Sequence, residues 1–418
     1  MLMKIIEAFS GIGSQAKALK NIGIEYELFA NIDWDINAII AYDLIHHKKQ
    51  NLKKYKEYTK ERLMNELNKY TFSLDGKSPH TLRQLKYLNR DTLERTLAAI
   101  ERCNNLVSIT DVKGSNIPND IDLFTYSFPC QDLSKASSWY GNKSGIDRNV
   151  KNRSGMLWEV ERILKEMVEL NKSVPKFLLM ENVSNIQAER HMENFKEWIN
   201  FLEKIGYKSK VYCLNAKDFG IPQNRERVYM VSVYVNQDKN KEKELLSYFK
   251  SHDLNDKNYI KTIVKKYIKM SDILKLNYKI EKYKKEADSC QQNRTPSRLK
   301  IYEDNDLIFD GNKININEIK TITTKQDRNP NSGVINYDDK NATKAPYRTL
   351  TPRECFLFMG FEEEDFEILL ENNFYINKNR LFFTNSKLFK MAGNSIVVTI
   401  LEYIFKQIKY INENIIKN

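Results

Sequence analysis

A cysteine stands where a predicted core strand ends. Residues 121–126 form a short apolar run with β-branched and aromatic side chains, which is typical of a buried strand, and Pro129 ends it. Cys130 therefore lies on a turn at the carboxyl end of a strand, the edge at which open α/β sheets bind ligands. A thiol in this position could act as a nucleophile. The alternative interpretation is a small buried hydrophobic residue, because most free cysteines are buried.

A carboxylate follows a second predicted core strand. Residues 176–180 form another apolar run, KFLLM, and Glu181 comes directly after it. A thiol and a carboxylate are thus expected to end neighbouring core strands. Glu181 could serve as a general acid, although carboxylates at strand ends are also common helix caps.

Two arginines occupy alternate positions in the segment QNRER, residues 223–227. A strand is predicted directly after it, at residues 228–235. On an extended segment the side chains of Arg225 and Arg227 point the same way. This arrangement suits a clamp on a phosphate, or on a base oxygen and a phosphate together.

A glycine turn and an acid stand near the start of the chain. Residues 4–32 are predicted to form a strand, the turn SGIG at residues 10–13, a helix and a second strand. Asp33 lies 20 residues beyond Gly13, the separation at which a carboxylate of a nucleotide-binding fold reaches ribose hydroxyls. Without a third glycine, the turn favours an adenosine without phosphates over a dinucleotide. Trp34 either stacks on the adenine or packs as an ordinary aromatic residue.

The intervening segments must position these residues. Residues 43–105 are rich in lysine and glutamate with helical periodicity, and are interpreted as a helical insertion that carries structure rather than chemistry. Residues 106–110 are predicted to form a short third strand that brings Ser108 and Ile109 to the adenine ring. Residues 135–152 are predicted to form a long loop that closes over the site.

The composition is that of a globular protein. The chain has 418 residues, which corresponds to two or three domains, and 41% of them are hydrophobic. No signal peptide or membrane span is predicted, so a cytoplasmic location is expected. The five cysteines have no CxxC spacing and the five histidines no ligand pattern, so neither disulfides nor a metal site is predicted. A net charge of +12 suits a polyanionic partner such as nucleic acid, although AT-rich coding also enriches lysine.

The order of these motifs resembles the DNA cytosine carbon-5 methyltransferase family. The matching segments are FSGIG, Asp33-Trp34, FPCQ, ENV, QNRER, RTLTPRECFLFMGF and AGNS. They cover nearly all of the chain except residues 43–105 and about 236–345. Within the family, SFPCQDLS and RSGMLWEVER resemble the bacterial CpG-type enzymes. Ser108 departs from the family, which usually has an acid there that helps to hold adenine.

The resemblance implies an α/β fold with a Rossmann-like, S-adenosylmethionine-dependent catalytic domain and a smaller, mixed target recognition domain. The catalytic domain would comprise residues 1–235, including the insertion, and would be completed by a return segment at 346–418. Residues 236–345 would form the target recognition domain. The protein would act on double-stranded DNA as a monomer. It would belong to a restriction-modification system.

The implied reaction transfers a methyl group from S-adenosylmethionine to carbon 5 of a flipped cytosine in a specific sequence, through a covalent Cys130 adduct at carbon 6. Glu181 would bind the cytosine ring and Arg227 its O2, while Arg225 and Gln223 would support the catalytic loop and phosphates. The implied cofactor-binding residues are Phe9, Ser10, Gly11, Ile12, Gly13, Asp33, Trp34, Ser108, Ile109, Pro129, Asn394 and Ser395. The implied DNA-binding residues are Gln131, Ser134, Lys135, Arg153, Gln223, Thr321, Thr323 and Arg328.

Three other functions are weighed against this one. A tRNA methyltransferase of the same family branch shares the motifs, but a recognition region of roughly 110 residues argues against it. A DNA-binding regulator with a decayed active site is disfavoured because Cys130, Glu181 and both arginines are present. A cysteine hydrolase is the weakest alternative, since none of the five histidines neighbours a motif.

Overall fold

The computed structural model describes residues 2–129, 133, 146–148, 154–337 and 343–416. The chain divides into two compact units. The first comprises Met1–Leu214, Glu226–Tyr259 and Leu401–Asn418, and the second comprises Asn215–Arg225 and Ile260–Ile400. Residues 346–400 cluster with the second unit, and the chain last returns to the first unit at Leu401. The predicted domain boundaries stay predictions.

The strands are short, as is usual for a mixed α/β chain. Within the described part of the chain they are β1 (Met3–Ala8), β2 (Tyr26–Ile32), β3 (Leu123–Tyr126), β4 (Phe177–Val183), β5 (Tyr207–Asn215), β6 (Gln223–Asn224), β7 (Glu226–Tyr234), β8 (Gln291–Asn293), β9 (Leu307–Phe309), β10 (Ile319–Lys320), β11 (Val334–Asn336), β12 (Lys344–Thr349), β13 (Tyr375–Asn377) and β14 (Arg380–Leu381).

The helices lie between these strands. Over the same residues they are α1 (Ser14–Asn21), α2 (Ile36–His47), α3 (Lys53–Lys56), α4 (Lys60–Leu67), α5 (Leu82–Tyr87), α6 (Arg90–Arg102), α7 (Leu157–Glu169), α8 (Glu189–Lys204), α9 (Lys239–Ser251), α10 (Lys257–Ile263), α11 (Met270–Ile273), α12 (Glu281–Cys290), α13 (Pro296–Asp304), α14 (Pro352–Phe358), α15 (Glu363–Glu371), α16 (Asn385–Asn394) and α17 (Val398–Ile411).

The first unit is built on one six-stranded sheet with the order β2-β1-β3-β4-β7-β5. The pairs β1–β2, β1–β3 and β3–β4 are parallel, whereas β4 and β7 are antiparallel. The carboxyl ends of the four parallel strands β2, β1, β3 and β4 therefore lie at the same edge of the sheet. α/β sheets bind ligands at this edge.

One face of this sheet packs on α7 and α8. Strand residues two positions apart share a face, and the apolar stripe of α7 recurs every three or four residues. Both sets belong to one buried cluster. Its members from the strands include Ile6, Ala8, Phe124, Tyr126, Leu178, Met180, Val228 and Met230, and those from α7 are Leu157, Val160, Ile163, Leu164 and Met167.

The second unit contains smaller sheets. A four-stranded sheet has the order β8-β12-β11-β9, and β6 pairs in parallel with β10. Val334, Ala345 and Tyr347 of the larger sheet form a small buried core with Ile301 of α13. A buried ion pair between Arg348 and Glu354 joins the end of β12 to the start of α14.

Residues 106–110 do not form the predicted third strand. Asn105 makes an isolated parallel bridge to Asn31, and the N–H of Leu106 donates to the Asn31 carbonyl. Val107 then adopts a φ of +64°, which takes the chain out of the extended conformation. The third strand is instead β3.

β4 is longer than predicted. It runs from Phe177 to Val183, because its antiparallel pairing with β7 continues to the pair Val183–Arg227. Glu181 therefore lies within the last residues of the strand instead of after it.

Residues 385–416 are apolar and long enough to cross a membrane by composition alone. Two helices, α16 and α17, share this segment, and 61% of its most apolar window is buried inside the protein. Such burial is typical of core helices.

Candidate active site

Three predicted site residues lie at the carboxyl edge of the first unit's sheet. Phe9 follows β1 and Asp33 follows β2, while Glu181 lies near the end of β4. The hydroxyl of Ser127, directly after β3, donates to the Phe9 carbonyl over 3.2 Å. This bond ties the ends of β1 and β3 together.

Asp33 is held by the glycine turn. Its Oδ2 accepts from the Gly11 N–H at 2.8 Å and its Oδ1 from the Asp35 N–H at 2.9 Å. Each carboxylate oxygen has two lone pairs, so Asp33 retains the capacity to accept hydroxyl donors. Gly11 has a φ of +56°, and a Cβ added there would meet nothing within 4 Å. The turn is therefore open on its Gly11 side. An open backbone next to the acceptor oxygens of Asp33 fits an adenosine.

Gly13 is required for a different reason. Its φ is +80°, and an added Cβ would lie 2.1 Å from Nε2 of His46. The structure thus gives Gly13 a packing role, and its implied part in cofactor binding stays a prediction. Gly13 allows α2 to pack against the turn, and its neighbour Ile12 is 2% exposed.

Two titratable side chains, Glu7 and His46, lie close to the glycine turn. Glu7 is fully buried and accepts from the Tyr42 hydroxyl at 2.5 Å. Burial raises the pKa of Glu7 to about 7, although the Tyr42 hydrogen bond opposes the shift. Burial lowers the pKa of His46 to about 3, so its ring is neutral at physiological pH. Its Nε2 lies 3.0 Å from the Ile12 carbonyl, which requires the tautomer that carries the proton on Nε2.

Trp34 is held by the insertion. The Ser73 N–H donates to the Trp34 carbonyl at 2.7 Å, and the Ile36 N–H donates to the Ser73 carbonyl at 3.0 Å. The indole-bearing residue is half-buried. The insertion therefore supports the backbone of the residue predicted to stack on adenine, while the stacking itself stays a prediction.

Glu181 and Arg227 meet across the antiparallel pair β4–β7. Glu181 pairs with Tyr229, and Arg227, two residues before Tyr229, lies diagonally across on the same face. The Nε of Arg227 lies 3.5 Å from Oε1 of Glu181, with the two side chains 16% and 12% exposed. A carboxyl group and a guanidinium that are mostly shielded from water can together bind a planar amide-like group through its donor and acceptor edge.

Two asparagines anchor the chain on either side of Cys130 in sequence. Asn182, 1% exposed, donates from Nδ2 to the Phe128 carbonyl at 3.1 Å. Asn185 donates to the Leu133 carbonyl at 2.5 Å. The segment ENVSN therefore provides both an acidic side chain and the anchors of the segment that contains the predicted nucleophile.

In the second unit, Arg225 is 3% exposed. Its guanidinium donates to the carbonyls of Ile322, Gly393 and Ser395 at 2.9, 3.0 and 2.8 Å. The expectation that Arg225 and Arg227 point the same way toward a phosphate is wrong for Arg225, because protein carbonyls occupy its donors. Arg225 instead joins QNRER to AGNS and to residues 321–323, Thr-Ile-Thr, which we call the threonine-rich turn.

Comparison with known proteins identifies the family. The family model for C-5 cytosine-specific DNA methylases matches residues 88–410. The chain belongs to this family. It is 32% identical to the orphan methyltransferase M.SssI of Spiroplasma monobiae over 97% of both chains. It is 30% identical to the type II methyltransferase M2.ScrFI of Lactococcus lactis subsp. cremoris, over 97% of this chain and 99% of that protein.

Solved structures support the fold of this DNA cytosine-5 methyltransferase. The Dnmt2 methyltransferase of S. pombe matches 99% of this chain and 100% of its own with a TM-score of 0.58 and 17% identity. The Entamoeba histolytica methyltransferase EhMeth matches 98% of both chains with a TM-score of 0.57 and 15% identity. The predicted α/β, Rossmann-like fold is confirmed.

Five predicted site residues of the methyltransferase lie outside the residues that the structure describes. They are Cys130, Gln131, Ser134, Lys135 and Arg153.

The predicted DNA contact of Gln223 is corrected, because its side chain is fully buried. Its Nε2 donates to the Phe358 carbonyl at 3.0 Å and its Oε1 accepts from the Ile322 N–H at 3.0 Å. Gln223 thus holds the threonine-rich turn. The hydroxyl of Thr321 donates to the Asn224 carbonyl at 2.7 Å and that of Thr323 to the Lys325 carbonyl at 2.6 Å.

The remaining assignments stay predictions. Arg328 is exposed beside Asp327, and Asn394 is exposed at the end of α16. The side chains of Ser10, Ser108, Ile109 and Ser395 are buried, whereas Pro129 is half-buried.

Sequence reasoning missed several residues that shape the site. His46, Ser73 and Asn105 lie outside the family motifs, and they act on the backbone of residues elsewhere in the chain. Asn182 and Asn185 could have been found from the sequence, because both lie in the segment ENVSN that begins at Glu181.

Proposed function

We propose that this methyltransferase transfers a methyl group from S-adenosylmethionine to carbon 5 of a flipped cytosine in a specific sequence of duplex DNA, with Cys130 bonded to carbon 6. The Glu181–Arg227 pair carries the proposal. A shielded acid and a shielded cation 3.5 Å apart complement the N3 and O2 edge of cytosine. Asn182 and Asn185 support the proposal further, because they donate to the carbonyls of Phe128 and Leu133, which precede and follow Cys130 in sequence.

Each residue has a task that follows from the chemistry of the ring. Carbon 5 of cytosine is a weak nucleophile. Addition of the Cys130 thiolate to carbon 6 forms a carbon–sulfur bond and pushes the electrons of the ring double bond toward N3, which makes carbon 5 nucleophilic. Glu181 donates a proton or hydrogen bond at N3 as charge develops there. Arg227 binds O2 and stabilises the same charge.

The ring must return to its aromatic form afterwards. S-adenosylmethionine, when bound, supplies an electrophilic methyl group for carbon 5. A base, for which water is the default, removes the proton from carbon 5, and the electron pair of that bond expels the Cys130 thiolate from carbon 6. Any proton that Glu181 delivered to N3 returns to Glu181. Because both faces of a cytosine inside a duplex are stacked, the base must be flipped out before the thiol reaches it.

The residues that would hold the cofactor lie in the first unit. Asp33 would accept the ribose hydroxyls, and the open side of Gly11 would let the ligand approach the backbone. Trp34 would stack on the adenine.

Replacing Asp33 with alanine is expected to weaken binding of S-adenosylmethionine. The ribose hydroxyls would lose a charged acceptor, which amounts to about 1.5–3 kcal/mol, or roughly 10- to 150-fold in Kd. Isothermal titration calorimetry of the purified protein measures this change. Asp238→Ala is the control, because Asp238 caps α9 through the Asn240 N–H at 2.9 Å and is expected to leave the Kd unchanged. Unchanged affinity of Asp33→Ala would refute the role in ribose binding.

Expression in a host without cytosine methylation is expected to leave carbon-5-methylcytosine in one short sequence of the host DNA. A duplex with 5-fluorocytosine at that position should then trap the enzyme, because fluorine cannot leave as a proton does and the covalent bond persists. A denaturing gel reads the trapped complex, which should require S-adenosylmethionine. The same duplex with unsubstituted cytosine is the control, and it should be methylated without a persistent complex. Absence of any methylated sequence would refute the proposed function.

A further inference from the structure

One side chain of the insertion touches both segments that are predicted to hold the adenosine. Asn105 is 3% exposed and follows α6. Its Oδ1 accepts from the Asp33 N–H at 3.2 Å, and its Nδ2 donates to the Asp33 carbonyl at 3.1 Å. The side chain therefore pairs with the backbone of Asp33 as a neighbouring strand would.

The same oxygen holds the segment that leads to Ser108. Oδ1 of Asn105 also accepts from the Val107 N–H at 2.8 Å. Val107 has a φ of +64°, a conformation that β-branched residues rarely adopt. The hydrogen bond to Asn105 helps to hold Val107 in this conformation. Ser108 and Ile109 directly follow Val107, so this bond contributes to their position.

Asp33 in turn depends on its backbone. Asp33 directly follows β2, and from this position its carboxylate accepts from the N–H groups of Gly11 and Asp35. A shift of the Asp33 backbone would therefore move the carboxylate. The N–H groups of Asp33 and Val107 both donate to Oδ1 of Asn105, so this one oxygen joins the end of β2 to the segment that leads to Ser108.

We propose that Asn105 is a positioning residue for cofactor binding, which fixes the ribose-binding carboxylate of Asp33 relative to the segment of Ser108 and Ile109. The proposal rests on the proposed binding of S-adenosylmethionine. Asn105 itself does not touch the ligand. It acts through three backbone hydrogen bonds, two to Asp33 and one to Val107.

Asn105→Asp removes the Nδ2 donor of the Asn105 side chain and keeps its Oδ1 acceptor, so it tests the donor alone. The aspartate keeps the shape and the acceptor for both N–H groups, but its carboxylate repels the Asp33 carbonyl to which the amide donates. We expect its Kd for S-adenosylmethionine to rise about 10-fold or more, as for the loss of one buried hydrogen bond and the repulsion that replaces it. The KM for S-adenosylmethionine should rise with the Kd, whereas the Kd for duplex DNA should stay unchanged.

Asn104→Gly is the matched control. Asn104 is exposed, and its Nδ2 donates to the Phe29 carbonyl, on β2 but four residues before Asp33. Its φ of +44° suits glycine. This variant should keep the wild-type Kd for S-adenosylmethionine. An Asn105→Asp protein with a wild-type melting temperature and a wild-type Kd would overturn the proposal.

Hydrogen exchange of the wild-type protein needs no variant. Binding of S-adenosylmethionine should slow exchange at the amides of Asp33 and Val107 together, because one side chain accepts from both. Slowing at Asp33 alone would contradict the coupling. A wild-type protein that shows no heat of binding with S-adenosylmethionine would instead refute the proposed function, so the two failures are distinguishable.

Discussion

Replacing Cys130 with serine is expected to abolish methyl transfer and to prevent the covalent complex with 5-fluorocytosine DNA. A serine hydroxyl is far less ionised than a thiol at neutral pH and is a poorer nucleophile. Loss of the nucleophile should reduce kcat by a factor on the order of 10⁴ or more. Methyl transfer from radiolabelled S-adenosylmethionine measures the rate, and a denaturing gel measures the trapped complex.

Cys213→Ser is the matched control. Cys213 is exposed as a residue, but partial desolvation of its thiol, with a contribution from Glu226, raises the pKa of that thiol to about 11. It should therefore react poorly, and its replacement should leave both the rate and the trapped complex as in the wild type. A Cys130→Ser protein that forms the same shifted band as the wild type would exclude Cys130 as the nucleophile.

Glu181→Gln tests whether Glu181 delivers a proton to N3, because glutamine keeps the shape of the side chain but is not an acid. Glutamine can still donate a hydrogen bond at N3 but cannot deliver a proton, so trapping should occur more slowly, by roughly 10²- to 10⁴-fold. The Arg227 guanidinium would also lose the carboxylate that lies 3.5 Å from it. Trapping at the wild-type rate would mean that Glu181 does not act as an acid.

Replacing Glu354 with glutamine is expected to destabilise the second unit strongly. Arg348 and Glu354 form two hydrogen bonds of 2.9 Å, and both side chains are fully buried. Glu354 also accepts from the N–H groups of Thr351 and Lys275 at 2.7 and 2.9 Å. Removing one partner leaves the Arg348 charge buried and uncompensated, which costs about 3–5 kcal/mol. Calorimetric unfolding of the full chain measures the loss.

Two variants test the cause of that loss. Glu281→Gln breaks an exposed pair with Lys285 in the same unit and should have no measurable effect. The double variant Arg348→Met with Glu354→Gln removes the buried charge and should be less destabilised than Glu354→Gln alone. If the double variant is as unstable as both single changes together, the uncompensated charge is not the cause.

The same pair predicts a dependence on pH. Burial alone would raise the pKa of Glu354, but the charge and hydrogen bonds of Arg348 outweigh it and lower the pKa below its usual value. The stability that this shift contributes is fully present above the unfolded-state pKa of about 4.3 and is lost as the pH falls through the folded-state value. Glu354→Gln should lack this component of acid unfolding.

Asp33 and Glu181 could be predicted from sequence because their positions depend on local patterns. Each follows or ends a short apolar run, and the runs predicted strands whose carboxyl ends share an edge. Gly11 and Gly13 show the limit of such patterns. Both have a positive φ, yet only the packing of α2 reveals that Gly13 faces His46.

Arg225 and Asn105 show why the rest could not be predicted. The acceptors of Arg225 lie 97 to 170 positions later in the chain, and the bonds from Asn105 to Asp33 join residues 72 positions apart. No local periodicity records such a contact. Residues 106–110 were predicted to form a strand, but the Val107 N–H donates to the Asn105 side chain and Val107 adopts a positive φ.

The three carbonyl acceptors of Arg225 also set an order of events during synthesis on the ribosome. Ser395 is 170 positions after Arg225, so at about 5–20 residues per second it emerges roughly 8–34 s later. Until then a guanidinium that is buried in the finished protein lacks most of its acceptors, and burying it would be unfavourable. The second unit therefore completes its fold only when almost the whole chain has been made. Cys130 is synthesised early, but the unit that contains Arg225 is not finished until synthesis reaches the final helix.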